Sequence, residues 1–271
     1  MSEATATDRA PMQKGMIRMR RSGRTILIWL GAFGIDPRRL ARAIWSLREY
    51  LRGYRRIRVQ IGRSAPIVLT PYLHERSESA GTVTGHYFWQ DMLVAQRVLR
   101  ASPARHVDVG SRVDGLITHL LVFRDVDVVD IRPLSHTIPG LNFILDDATS
   151  LASLADQSIV SLSSLHAIEH FGLGRYGDPI DAEGHIHGLR SLQRVLAPGG
   201  RLYLSFPVGA ERVEYNGQRV LSPTLCLDVL SELTLENFVA IPSAGLPRED
   251  MSPRDLVGTS GWCGLYEFSR S

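Results

Sequence analysis

The chain has 271 residues, of which 44% are apolar. This length allows one domain with a full hydrophobic core and an extension beside it. Its two cysteines are too few for a disulfide framework or a cysteine-rich zinc cluster, so we expect a reducing compartment. Residues 1–63 hold fifteen Arg and Lys against four Asp and Glu, a net charge of +11, whereas residues 64–271 carry a net charge of −8.

The basic segment is predicted to be an N-terminal extension over residues 1–75, partly disordered. Within it, Asp36 and Pro37 are typical of a helix start, and the spacing of Leu40, Ile44, Leu47 and Leu51 predicts an amphipathic helix from Arg38 to Tyr54. Its other face is rich in arginine. We expect a peripheral contact of residues 18–63 with an anionic membrane or with an acidic partner; the alternative is a solvated helix docked on the main domain.

Compartment and partners follow from the same features. The apolar run Ile26–Ile35 is shorter than the about 20 residues that span a bilayer, and no signal-peptide cleavage site follows it. We therefore expect a cytoplasmic protein that is bound, if at all, to the inner membrane face. No basic motif interleaved with aromatic residues is present, so no nucleic-acid partner is expected.

Residues 76–271 are predicted to form the main domain, in which strands and helices alternate. This order predicts an α/β fold with a doubly wound, mostly parallel sheet. A helix over His86–Arg100 is expected to bury Phe88, Met92, Ala95 and Leu99. The further predicted elements are strands at His106–Val109, Val126–Ile131, Asn142–Leu145, Ser158–Leu165, Arg201–Phe206, Phe238–Ile241 and Leu265–Phe268, with helices at Glu183–Leu196 and Ser222–Leu233.

The stretch His106–Pro133 has the pattern of a βαβ unit at a nucleotide-type site. A buried strand leads through Asp108 to a turn at Gly110, and Gly115 opens a helix. The next strand ends near Asp130, where a carboxylate can accept hydrogen bonds from two ribose hydroxyls. A helix N-cap or surface acid is the alternative for Asp130, and a purely structural turn is the alternative for the glycines.

The order of these motifs resembles class I S-adenosylmethionine-dependent methyltransferases. The resemblance rests on the acid-and-glycine turn, Asp130, the Asp-Asp-Ala at 146–148, the Glu-His pair at 169–170 and the run VLAPGGRLYLSFP. The segment 163–181, SSLHAIEHFGLGRYGDPID, is more similar still to the domain-of-unknown-function 268 group, whose members are similar to proteins encoded among surface-polysaccharide genes. The resemblance covers residues 80–241 and implies a Rossmann-like sheet of seven strands with the last one antiparallel.

For the cofactor, the resemblance implies S-adenosylmethionine bound beyond the carboxyl ends of the strands. Asp147 and Ala148 match the adenine site, and Asp130 matches the ribose site. The turn departs from the family pattern, because Arg112 and Asp114 occupy glycine positions and Gly115 comes one place late. These side chains would either crowd the methionine part of the cofactor or bind it, Asp114 or Asp108 at the ammonium and Arg112 at the carboxylate.

For the reaction, the resemblance places His166 where groups face both cofactor and acceptor. A histidine there can deprotonate a sugar hydroxyl, and Glu169 and His170 complete the candidate catalytic set. A satisfied buried histidine is the alternative. The loop Gly172–Asp181 is predicted to be an acceptor lid in which Arg175, Tyr176 and Asp178 bind a sugar or glycan; an ordered crossover loop is the alternative.

Two other functions compete with methyl transfer to a hydroxyl of a sugar or surface-polysaccharide precursor. The altered glycine turn suits a catalytically inactive binding or scaffold protein of the same fold. The spelling H-x-x-E-H at 166–170 is the motif of a zinc hydrolase, but that motif needs a helix, and Gly172 and Gly174 would end one. We therefore predict no metal ligands.

Overall fold

The computed structural model describes residues 26, 29–62, 65–73, 81, 83–215 and 217–271. The disorder predicted for residues 1–24 lies outside the described residues. The chain divides into two compact units, Met1–Gly81 and Thr82–Ser271. No helix in the described ranges is long and apolar enough to cross a membrane.

The first unit contains helix α1, Pro37–Ile61, which extends seven residues beyond the predicted end. The predicted apolar stripe is exposed: Leu40 by 60%, Ile44 by 65% and Leu51 by 44%. Because no residue in its first turn is acidic and Arg58 lies in its last turn, the helix has a basic end at the negative pole of its dipole.

The second unit is built on one seven-stranded sheet with the order β3-β2-β1-β4-β5-β9-β8. Strand β9 runs antiparallel to both neighbours, and the other pairings are parallel. This confirms the predicted doubly wound, mostly parallel sheet with its last strand antiparallel. The strands are β1 His106–Val109, β2 Val126–Asp130, β3 Leu141–Leu145, β4 Ile159–Leu165, β5 Leu196–Val208, β8 Thr234–Pro242 and β9 Trp262–Ser269.

Helices cover both faces of this sheet, as its apolar strands require. One face packs against α4, Gly184–Val195, and α5, Leu225–Val229, and the other against α2, His86–Ala101, and the turns after β1. Side chains of β9 point alternately to the two faces of the sheet and so contribute to the hydrophobic core on each face. Cys263 and Leu265 face α2, whereas Tyr266 and Phe268 face the opposite side.

Three helical predictions need correction. Helix α2 buries Val94, Ala95 and Val98 together with the polar Gln90 and Asp91, whereas the predicted Phe88 and Leu99 are 38% and 54% exposed. The face is rotated because Ser205 Oγ donates to Gln90 Oε1 at 2.6 Å, which satisfies that buried amide oxygen and turns this side of the helix inward.

The helix expected from Gly115 onward is mostly irregular. A π-type turn, Val113–Ile117, precedes a helix α3 of only three residues, Thr118–Leu120. The break lies at Gly115, whose φ of −110° and ψ of −115° are non-helical. The helix predicted over 222–233 is also shortened, to α5.

A two-stranded hairpin, β6 Arg212–Glu214 and β7 Gln218–Val220, is an element that the sequence pattern did not indicate. Its strands have three residues each, too few for a two-residue alternation to be recognised. Arg219 on β7 is buried, and its guanidinium donates to the carbonyls of Phe171 and Asp181. The hairpin therefore holds both ends of the loop predicted to be a lid.

Candidate functional site

A cleft lies at the carboxyl ends of β1, β2, β3 and β4, where the strand order reverses between β1 and β4. This is the position at which open α/β sheets bind ligands. Its free volume is about 90 Å³. The cleft is lined by Tyr87, Gly110, Arg112, Val129, Asp130, Ile131, Arg132, Asp147, Ala148, Thr149, His166, Ala167, His170, Phe171, Gly172, Tyr176 and Asp178.

Gly110 forms the bend after β1 and reaches the cleft wall. Its φ is +74°, and a Cβ there would lie 3.0 Å from Ala167 Cβ, so the close approach of β1 to the end of β4 requires glycine. Asp108 lies beneath this bend and not in the wall. It is fully buried and accepts hydrogen bonds from Ser111 N and Oγ and from Ser163 Oγ. The structure therefore gives Asp108 the role of fixing the bend.

Burial makes the Asp108 carboxylate costly to ionise. Removal from water raises its pKa to about 6, although the serine hydrogen bonds act in the opposite direction. Ser163 connects it to His106, whose Nε2 lies 2.9 Å from Ser163 Oγ. Burial lowers the pKa of His106 to about 3, so this polar network is built around a neutral imidazole.

Arg112 and Asp114 bind each other in two parallel hydrogen bonds of 3.0 and 2.6 Å. Arg112 lines the cleft, whereas Asp114, with its side chain 70% exposed, lies outside the lining. Gly115 also lies outside the cleft lining. It approaches helix α2 so closely that a Cβ on Gly115 would lie 2.5 Å from Asp91 Oδ2. Contact of these three residues with a cofactor stays a prediction, which this placement favours only for Arg112.

Asp130 ends β2 and lies in the cleft wall with 12% of its side chain exposed. Its two carboxylate oxygens accept from the Arg132 guanidinium at 3.0 and 2.6 Å, and Oδ1 also accepts from Arg132 N at 2.8 Å. The Arg132 guanidinium lies over the Tyr176 ring at 4.2 Å. Arg132 thus joins the predicted ribose carboxylate to the predicted lid.

Asp147 and Ala148 lie across the cleft, where the resemblance places adenine. Asp147 Oδ1 accepts from Thr149 N and Oγ1, both at 2.8 Å, which closes a local turn. Its neighbour Asp146 accepts from Ser153 N at 2.8 Å. Asp147 therefore forms the local turn that the alternative interpretation expected, whereas Asp146 binds a residue seven positions further on. Of the two, only Asp147 reaches the cleft.

His166 follows β4 and has a left-handed backbone with φ of +48°. Its Nδ1 lies 2.7 Å from Glu169 Oε1, and both side chains are almost completely buried. Burial disfavours the charged imidazolium, but the neighbouring Cys263 and Glu169 outweigh it and raise the pKa of His166. Nε2, the other ring nitrogen, is buried and makes no hydrogen bond to the described residues.

His170 lines the cleft as well, but its Nδ1 lies 2.8 Å from the Gly217 carbonyl. Burial lowers its pKa, so it is neutral near pH 7. The segment Ile168–His170 is a single 3₁₀ turn and not a helix. Since His166 and His170 do not lie one helical turn apart, the geometry of the H-x-x-E-H zinc motif is not formed by these residues.

The loop 172–181 is ordered by Asp178. Its carboxylate accepts from the backbone of Gly172, Gly174 and Tyr176 at 2.9, 3.1 and 3.1 Å. Arg175 donates to the Gly217 carbonyl at 2.8 Å and does not line the cleft. Of the three predicted acceptor residues, Tyr176 and Asp178 reach the cleft, and only Tyr176 presents a side chain whose hydrogen-bonding group is not engaged in holding the loop.

Tyr87, Phe171 and Arg132 line the cleft but were not predicted. Tyr87 comes from helix α2 and packs on the His166 ring at 4.7 Å, a contact across 79 positions that no local pattern indicates. Arg132 was detectable, because a guanidinium two residues after a strand-end carboxylate reaches it easily.

Comparison with known proteins agrees with the resemblance. A family model described as "Caenorhabditis protein of unknown function, DUF268" matches residues 149–231. This match confirms the predicted similarity to that group and includes the whole segment 163–181. A search of curated proteins finds no match.

Solved structures that are similar to this chain include three methyltransferases. For the N-methyltransferase NodS of Bradyrhizobium japonicum, in complex with S-adenosylhomocysteine, identity is 14%, TM-score 0.45 and coverage 69% of this chain and 88% of that one. For the 1,6-didemethyltoxoflavin-N1-methyltransferase of Burkholderia thailandensis the values are 15%, 0.46, 67% and 79%. For a TehB-like methyltransferase of Corynebacterium glutamicum they are 16%, 0.42, 68% and 94%. Similarity at this level assigns no substrate.

Proposed function

We propose that the protein transfers a methyl group from S-adenosylmethionine to an acceptor held under the loop 172–181. The observation that carries this proposal is the position of Asp130, a carboxylate at the end of β2 in the wall of a cleft at the strand-order switch point. A ribose diol at this position would donate two hydrogen bonds to that carboxylate. Asp147 and Ala148 would border the adenine, and the Gly110 bend would admit the amino-acid tail.

The residues fit such a ligand once Arg132 has moved. Typical small-molecule sites have volumes of roughly 300–1,000 Å³, so the about 90 Å³ between these side chains is too little for a nucleoside. Arg132 lies over Tyr176 and against Asp130, and 45% of its side chain is exposed. A rotation of this long side chain into solvent would free the carboxylate and widen the cleft without moving the backbone.

The chemistry that S-adenosylmethionine supplies when bound is a methyl group on a positively charged sulfur. The protein has to place an acceptor in line with that methyl group and take up the acceptor's proton. Positioning is the larger contribution to the rate. His166 is the candidate base, because Glu169 holds Nδ1 and leaves Nε2 as the only ring nitrogen that can receive a proton. Since its raised pKa favours the protonated form, His166 would have to lose its own proton first.

The acceptor that we propose is a hydroxyl of a sugar or of a surface-polysaccharide precursor. Tyr176 supports it, because an aromatic ring at a cleft mouth can pack against the apolar face of a sugar. Two guanidinium groups lie over this ring, Arg132 at 4.2 Å and Arg175 at 5.1 Å. The rotation of Arg132 proposed above would leave the ring surface that it covers to the sugar. Nitrogen and carbon acceptors would use the same methyl donor and are outcomes of a product assay.

Isothermal titration of the purified chain with S-adenosylhomocysteine tests the cofactor directly. We expect saturable binding at one equivalent per chain, and loss of most of the affinity in Asp130→Ala. Transfer of a labelled methyl group from S-adenosylmethionine to candidate lipid-linked and nucleotide-linked sugars then identifies the acceptor. Absence of binding by both the methyl donor and its demethylated product would overturn the proposal.

The Arg132–Asp130 contact also supports a second candidate, a binding or scaffold protein that has the fold without the reaction. In that function the ion pair would be a permanent part of the structure. It predicts that Asp130→Ala leaves cellular function intact and that titration with either form of the cofactor gives no heat.

We further propose that the extension makes a peripheral contact with an anionic membrane, which would bring the enzyme to lipid-linked acceptors. Helix α1 supports this, because its apolar side chains are exposed next to arginines. Amphipathic basic helices of this kind bind in the plane of the lipid headgroups. With this contact, the protein would act on the cytoplasmic face of the membrane.

A further inference from the structure

His86, His166 and Cys263 come together behind the cleft from three separate elements. His86 begins helix α2, His166 follows β4, and Cys263 lies on β9. One potential ligand atom from each residue lies within 4.8 Å of the other two. The His86 and His166 rings are stacked, with centroids 5.5 Å apart and planes 11° from parallel.

The hydrogen bonding of His166 is that of a metal-binding histidine. A metal-binding histidine commonly donates its second ring N–H to a carboxylate, which fixes the tautomer and the direction of the ring. Glu169 Oε1 receives that hydrogen bond from Nδ1 at 2.7 Å, and the Glu169 side chain is completely buried. The remaining nitrogen, Nε2, is buried without a hydrogen-bond partner among the described residues, on a side chain with 4% exposure. Unpaired buried polar atoms of this kind are uncommon and call for an explanation.

The charges at this position also suit a cation. Glu169 is a buried carboxylate, and Cys263 becomes an anion when it binds a metal. Two imidazoles and one thiolate are a donor set that zinc accepts in tetrahedral geometry, with a fourth position left for water or a substrate atom. Zinc bond lengths place such ligands about 3.3–3.7 Å apart, so small side-chain rotations would close the observed spacing.

We propose that His86, His166 and Cys263 bind one zinc ion, with Glu169 as the residue that positions His166. Binding releases the thiol proton of Cys263 and any proton on the two nitrogens to the solvent. Of the H-x-x-E-H residues, His166 is a ligand of this site and Glu169 positions it, whereas His170 takes no part because it is engaged by Gly217. The inference does not rest on the proposed methyl transfer, since metal binding is measured without a methyl donor. With the ion bound, Nε2 is a ligand and cannot accept a proton, so His166 would then not be the base of that reaction.

Cobalt titration of the full chain, after removal of metals by a chelator, is the test. We expect a sulfur-to-cobalt charge-transfer band that saturates at one equivalent and disappears when zinc is added. Cys263→Ser should abolish the band, and His86→Gln should weaken cobalt binding at least about 10-fold. Glu169→Gln should weaken it by about 10–100-fold, the usual effect of removing a group that orients a ligand.

Two matched variants serve as controls. Cys226→Ala removes the other buried cysteine, which lies on the opposite face of the sheet, and His170→Gln removes the other histidine of the motif. Both should keep the band. Circular dichroism checks that each variant folds, and His86→Gln carries the test if Cys263→Ser does not fold. A band that survives Cys263→Ser, a band that depends on His170, or the absence of any band would overturn the site. Purification of the chain with bound copper, recognised by a blue colour, would overturn the assignment to zinc.

Discussion

At the scale of single residues, the chain contains several arginine–carboxylate pairs two positions apart, which differ in their surroundings. Asp130 and Arg132 form such a pair in the cleft wall, and Arg248 and Asp250 form one on the surface with bonds of 2.8 and 2.7 Å. The two pairs have the same chemistry and almost the same geometry. The surface pair can therefore serve as a control when the ligand-binding role of the cleft pair is tested.

We predict that Asp130→Asn weakens S-adenosylhomocysteine binding by about 10–100-fold, because a hydrogen bond to a charged group contributes about 1.5–3 kcal/mol. Asp250→Asn should leave the affinity unchanged. Isothermal titration of both variants against the unmodified chain measures the difference. Equal affinities for all three proteins would remove Asp130 from the binding site.

Asp91 on helix α2 gives a prediction about pH. Burial raises its pKa to about 6, although the Gln90 hydrogen bond acts in the opposite direction. A raised folded-state pKa means that the stabilising effect is present below the ordinary value near 4 and is lost as pH rises through 6. Asp91→Asn should therefore be more stable than the unmodified chain at pH 7, by about 1–3 kcal/mol, and no more stable at pH 4.

Urea unfolding of both proteins at several pH values between 4 and 7 tests this. The prediction fails if the difference in unfolding free energy stays constant over that range. Asn is the suitable replacement because its side-chain oxygen can still accept the Gln90 hydrogen bond, so the comparison isolates the charge.

At the scale of elements, the loop predicted to be a lid is attached firmly at both ends. Its Gly172 has φ of +75°, and a Cβ on Gly184, the first residue of α4, would lie 2.8 Å from Gly172 N. Since these neighbours are backbone atoms, they cannot give way as a side chain would. Any opening of the cleft must therefore come from the middle of the loop and from Arg132, not from its ends.

We predict that Gly184→Ala lowers the unfolding free energy by about 1–3 kcal/mol, the usual effect of overpacking a tight contact. It should also weaken cofactor binding, because Gly172 lines the cleft. Gly53→Ala is the matched control in a helix: a Cβ there meets nothing within 4 Å, so alanine should stabilise α1 by up to about 1 kcal/mol. Thermal unfolding compares the two, and equal effects would contradict the contact.

The elements that could be predicted from the sequence are those with a strong local pattern. Strands β1 and β2 are rich in valine and buried along almost their whole length, as parallel strands with both faces covered require, although β1 also buries His106 and Asp108. Helix α2 was placed correctly but rotated, because Gln90 and Asp91 are buried by partners that lie far away in sequence. In the site, the position of Asp130 was predictable from the βαβ pattern, and those of Asp147 and His166 from the family resemblance. Tyr87, His86 and Cys263 come close to His166 only through tertiary packing.

At the scale of the whole molecule, charge separates the chain into a basic and an acidic part. Residues 1–63 have a net charge of +11 and the remainder −8. Anionic surfaces are therefore attracted by the basic part of the chain and repelled by the acidic part. The proposed membrane contact should therefore be sensitive to salt and should depend on the arginines of α1.

We predict that the full chain binds vesicles with anionic lipids and releases them in 1 M salt, where screening acts over about 3 Å. Replacing Arg48, Arg55 and Arg56 by Gln should weaken binding by up to about 100-fold, since each basic residue near such a surface contributes about 1 kcal/mol. The matched variant replaces the exposed Arg100, Arg190 and Arg254. Equal loss of vesicle sedimentation in both triple variants would contradict a specific contact through the helix.

The guanidinium on Asp130 has one more consequence, for measured affinities. Being tethered two residues away, it is an intramolecular competitor whose effective concentration does not fall when the protein is diluted. A nucleoside therefore meets a receptive carboxylate in only a fraction of the molecules, and its apparent dissociation constant is the intrinsic one divided by that fraction. Arg132→Ala would make every molecule receptive, so the wild-type chain should be the weaker binder of the two.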